Sequence, residues 1–156
     1  MEWLAPLAET PLARALITSS TLYLLVNAAH ILGIGVLFGP ILALDFLLLG
    51  FAPAVPRAAI APYLSRIAAA GVVLAILTGL CLFSVHPTEY ARNSAFLAKL
   101  GLVSLALVNV AVLHFGRGWR AVLSGRRPST AVRVGATLST LFWVGAVIAG
   151  RWIGFL

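Results

Sequence analysis

Four apolar runs dominate this chain, and each is long enough to cross a lipid bilayer. The first, TLYLLVNAAHILGIGVLFGPILALDFLLL over residues 21–49, contains one formal charge, Asp45. A transmembrane helix needs about 20 largely apolar residues to span the hydrocarbon core. Runs at about 59–85, 94–115 and 130–153 meet the same requirement. Together with short loops they use up the chain. The expected fold is therefore all-α: one domain over 1–156, built as a four-helix transmembrane bundle with a short interfacial N-terminal helix.

Composition agrees. Hydrophobic residues make up 62% and charged residues 10%, against about 25% charged in soluble domains. The net charge of +7 does not point to nucleic acid, because the basic residues flank the apolar spans. Basic residues at membrane ends set topology and meet anionic lipid. Arg57, Arg66, Arg117, Arg120, Arg126, Arg127 and Arg133 fall on one side. Arg14, Arg92, Lys99 and Arg151 fall on the other. The richer side is expected to be cytoplasmic, which puts both termini outside. An excess of arginine over the single lysine suggests a GC-rich bacterial genome, and hence a bacterial inner membrane. Cys81 is the only cysteine, so no internal disulfide forms. The N-terminus lacks the basic start and short apolar core of a secretory signal, so the first span is expected to be retained.

Residues 3–18 are too polar to cross and are expected to lie at the interface. Thr10 followed by Pro11 reads there as an N-cap with proline at the first helical position. Pro40 interrupts the first span, freeing the carbonyl of Val36 and predicting a kink. Gly35 and Gly39 form a GxxxG pair suited to close helix approach. Ala68, Ala75 and Gly79 give the second span a small-residue face, and Gly135, Ser139, Gly145 and Ala149 do the same for the fourth.

Ionisable groups inside such spans are costly and mark candidate sites. His30 lies in the first span and Lys99 in the third, at similar depth on the outer side. Asn27 and Gly33 share the His30 face at i−3 and i+3. Asn27 is expected to orient a ring nitrogen, and Gly33 to leave room for a flat macrocycle or a close helix. The plain alternatives are an interhelical hydrogen bond for His30 and a snorkelling side chain for Lys99. His114 lies roughly 15–20 Å deeper by helical rise, too far to share one iron with His30. His86 and Glu89 fall in the outer loop. Asp45 and Arg66 are expected to form a structural ion pair between the first two spans. No Walker loop, nucleotide fingerprint, HExxH or CxxC occurs, and no catalytic nucleophile stands out.

The segments YLLVNAAHILGIGVLFGPILALDFLLLG, AGVVLAILTGLCLF and NSAFLAKLGLVSLALVNVAVLH resemble a bacterial family of four-helix integral membrane proteins whose shared domain has no assigned function. The likeness rests on His30, Gly33, Gly39, Asp45, Gly50, Gly79, Asn93, Phe96, Lys99 and Asn109. Leu47 stands where that family usually has arginine, and Ser94 where it usually has proline. A more distant likeness is to the CopD copper-resistance membrane domain and the HemJ-type protoporphyrinogen oxidase, through His30, Lys99 and His114. The HemJ-type likeness implies a b-type haem and porphyrinogen oxidation.

Three functions follow as expectations. The first is haem b or porphyrin binding, with His30 as axial ligand and Lys99 meeting a carboxylate. The second is copper handling with His30 as metal ligand, for which Cys81 and Met1 are the only soft donors. The third is a non-catalytic membrane subunit. The bilayer is the expected partner in each, joined by a second copy or a membrane redox protein.

Overall fold

Polar caps divide the chain into helices at the points where the apolar runs begin and end. A computed structural model describes residues 2–52 and 54–155; Met1 lies outside them. A 3-10 helix at Glu2–Glu9 leads into α1, Pro11–Thr18. The Thr10 hydroxyl accepts from Ala13 N at 3.3 Å and Pro11 opens the helix. The spans follow as α2, Ser20–Leu49, and α3, Arg57–Phe83. Next come α4, Pro87–Arg92; α5, Ser94–Phe115; and α6, Arg117–Leu123. The last span is α7, Thr130–Trp152, and a 3-10 turn at Ile153–Phe155 ends the described chain.

Ser19, Asn93 and Ser129 each accept a hydrogen bond from the backbone N–H three residues on, at 3.3, 3.1 and 3.4 Å. Such caps contribute about 1 kcal/mol each. Gly50 closes α2 with φ +99°, a left-handed cap that a side chain would strain. Arg57 donates to the Leu47 carbonyl at 3.3 Å, satisfying another orphan of that helix end.

The molecule is a four-helix transmembrane bundle with a short N-terminal helix. Spans α2, α3, α5 and α7 are each long and apolar enough to cross a membrane. Helix α2 packs on α3, α5 packs on α7, and α2 meets α7 to join the two pairs. Leu37, Ile41, Leu44 and Leu48 form the buried stripe of α2, against Ala61 and Ala68, Ala106, and Val132, Ala136 and Trp143. Large apolar side chains point the other way: Leu32 is 65% exposed and Val112 68%. This inverted distribution suits hydrocarbon surroundings, where close backbone packing replaces a hydrophobic driving force.

The loops and the N-terminal segment carry more structure than their sequences suggest. Residues 87–92 and 117–123 form the short helices α4 and α6. The 3-10 helix packs on α4, and α1 buries Ala13 and Leu16. The interfacial segment thus caps the bundle end that carries the termini. Pro40 does not end α2, which runs through it. Gly35 and Gly39 are exposed, with open space where a Cβ would stand, so among the described residues no helix packs closely on the GxxxG pair. Gly33 and Gly71 provide the close approach instead.

Candidate functional site

The α2–α3 seam positions the first candidate site. A Cβ on Gly33 would stand 2.9 Å from the backbone nitrogen of Ala75. A Cβ on Gly71 would overlap the backbone of Leu37. These contacts lie in antiparallel register: the step from 33 to 37 on α2 matches the step from 75 to 71 on α3. Continuing the register the other way brings His30 opposite Thr78, with Nδ1 and Oγ1 3.0 Å apart. Gly79 leaves room for the ring, since a Cβ there would sit 3.1 Å from Cε1.

The Thr78 hydroxyl sets the tautomer of His30. It donates to the Leu74 carbonyl at 2.6 Å, with the Ala75 carbonyl at 3.3 Å. A hydroxyl has one hydrogen, so Thr78 accepts from His30 and Nδ1 carries the proton. Nε2 then holds the lone pair; the ring's other polar neighbour is the Ala75 backbone. Metal-ligating histidines are oriented in this way, by a bond at the nitrogen that does not ligate.

Lys99 of α5 comes within electrostatic reach of the His30 ring. Its stem lies along Gly150 of α7: a Cβ there would meet Cδ, Cε and Nζ at 3.4, 3.5 and 3.6 Å. Among the described residues Lys99 has no ion pair. Beyond it, toward the end carrying the termini, Phe83 and Phe96 stack at 5.5 Å and Tyr90 lies 5.4 Å from Phe96. These rings bridge α3 and α5. Burial, then Tyr23 and Glu89, push the Tyr90 phenol above its ordinary pKa. Exposed His86 and Glu89 stand 3.8 Å apart in the same region.

Two expectations about side-chain partners are corrected and one is narrowed. Asn27 is exposed and makes no bond to His30; Thr78 of the neighbouring helix orients the ring instead. The recess beside Gly33 is filled by the α3 backbone, so of its two expected occupants it takes the close helix. Asp45 and Arg66 do not pair. Helix α2 turns Asp45 toward α7, where its Oδ2 accepts from Thr140 at 3.2 Å, while Arg66 is exposed on α3.

His114 lies at the other end of the bundle. Nδ1 donates to the Val110 carbonyl at 3.0 Å, and Nε2 accepts from Ser65. Its ring packs 4.2 Å from Trp119. Ser65 and Thr78, the α3 partners of the two histidines, stand about 20 Å apart along the axis. The histidines therefore occupy separate sites, as the spacing predicts.

His30 would offer a haem iron one imidazole nitrogen, and Lys99 would be the basic side chain nearby for a carboxylate. The filled Gly33 recess places any macrocycle outside the α2–α3 seam. Among the described residues no group of three or more His, Cys, Asp or Glu is placed to hold a metal ion. A copper site would start from His30, with half-buried Cys81 one turn beyond Thr78 on α3 as the only thiol in the sequence.

Fold and spans define a multi-pass integral membrane protein. Comparison with family models, curated proteins and solved structures returns no match.

Proposed function

We propose that this chain is a bacterial inner-membrane protein that binds a b-type haem or related porphyrin through His30. The observation that carries the reading is the Thr78 bond, which leaves the imidazole lone pair on Nε2. Lys99 supplies the second contact, to a propionate or a substrate carboxylate. Haem bound there would supply one-electron chemistry within the membrane, and a redox partner or second copy would complete the path. The arginine-rich end faces the cytoplasm, supported by Arg57, Arg66, Arg117, Arg120, Arg126, Arg127 and Arg133. Both termini then face outward.

The test is reconstitution of purified protein with haem. A Soret band should form, and His30→Ala should remove it. A second reading is favoured by the filled Gly33 recess: His30 ties α2 to α3 in a non-catalytic subunit. On that reading His30→Ala lowers stability and leaves haem titrations flat in both proteins.

A further inference from the structure

The other polar cluster lies near the basic end, on the faces where α2, α5 and α7 meet. Asp45 is 2% exposed and Ser139 1%. Both line a cavity of about 10 Å³, with His114, Trp119 and apolar side chains completing the wall. That volume is about what one water needs. The Ser139 hydroxyl lies beside the carboxyl group, yet its Oγ has no hydrogen-bond partner among the described residues. Among the described residues Thr140 is the one whose hydroxyl donates to the carboxyl group with hydrogen-bond geometry. Trp143 Nε1, one turn along α7, is also unpartnered.

The surrounding charges do not compensate Asp45. On α3, Arg57 is engaged at the Leu47 carbonyl and Arg66 is exposed. On α7, Arg133 is exposed near the Gly50 cap. On α6, Arg117 and Arg120 are exposed. On α5, His114 is the one titratable group at the cavity wall, and both its ring nitrogens are engaged. A buried carboxylate without a cation costs far more than a paired one.

We propose that Asp45 is a proton-binding site, with one water in the cavity linking its carboxyl group to Ser139. The acid O–H donates to the water, the water donates to Ser139 Oγ, and Thr140 donates to the second carboxyl oxygen. The carboxyl group and Ser139 Oγ then each have a partner, and no buried charge remains. The site is independent of His30, which binds at the opposite end of the bundle.

Asp45 is the only aspartate in the chain, so an isotope label reads it without mutation. The full chain in lipid nanodiscs, labelled with [4-13C]aspartate, should show in the infrared at neutral pH a carboxylic-acid carbonyl band carrying the isotope shift. That band should move in D2O. Ser139→Ala should change its frequency and keep it. Asp45→Asn, an isostere of the protonated acid, should unfold at the same detergent concentration as the wild type. An isotope-shifted carboxylate signal at neutral pH, without the acid band, would overturn the proposal. So would stabilisation by sodium chloride over choline chloride that is absent in Asp45→Asn, since it would assign the site to a metal cation.

Discussion

His30 Nδ1 and Thr78 Oγ1 stand 3.0 Å apart across the α2–α3 seam, and the Thr78 hydrogen is already given to Leu74. One bond thus locks two helices and one tautomer. Thr78→Val keeps the shape and removes the acceptor. It is expected to weaken haem affinity by about 10–100-fold, the usual effect of losing an orienting partner. Haem titration of both proteins measures it, and equal affinity would contradict the orienting role.

The glycine contacts that fix this register carry their own prediction. Gly71→Ala drives a Cβ into the Leu37 backbone, and overpacking costs about 1–3 kcal/mol. Gly35→Ala meets open space and should be neutral or stabilising by up to about 1 kcal/mol, because alanine favours helix. Unfolding of the two variants in increasing SDS separates them. Equal midpoints would show that the seam is not as tight as described.

Asn109 ties α5 to α7 by donating to the Gly135 carbonyl at 2.9 Å. Asn109→Leu should cost roughly 0.6 kcal/mol, the average for side-chain hydrogen bonds between membrane helices, and at most about 1.7. A double-mutant comparison with Thr78→Val should be additive, since the two bonds tie different helix pairs.

Tyr90 lies outside the spans, and burial favours its neutral phenol. The folded chain therefore holds this proton to higher pH than the unfolded chain. The resulting stability is fully present below the unfolded pKa of about 10 and is lost as pH rises through the higher folded value. Ultraviolet titration should show one late-ionising tyrosine, absent in Tyr90→Phe. Three tyrosines titrating together near the ordinary phenol pKa would contradict this.

The spans were legible because length and continuous apolarity alone demand them; α2 and α5 match their expected bounds to within a residue. His30 and Lys99 were placed at one level by helical rise, and the structure brings them within electrostatic reach. Thr78 is not evident from the sequence because it lies on another helix, whereas Asn27 shares the His30 face at i−3 and carries both a donor and an acceptor. The register set by Gly33 and Gly71 was the signal that identifies Thr78, and it requires knowing which glycines touch. The expected pairing of Asp45 with Arg66 rests on opposite charge and similar depth on adjacent helices. The rotation of α2 that turns Asp45 toward Thr140 depends on packing by Leu44 and Leu48, which hydropathy does not reveal. The GxxxG spacing was misleading for the same reason: it is a pattern on one helix, and contact needs a partner.

His30 Nε2 is the ligand nitrogen of the proposed haem site, and an absorption spectrum of the haem-reconstituted protein in detergent tests this most directly. Oxidised and reduced spectra should show a Soret band shifting on reduction, lost in His30→Ala while the variant keeps its helical circular dichroism. A wild-type protein that stays colourless with excess haem, at full helicity, would contradict the claim.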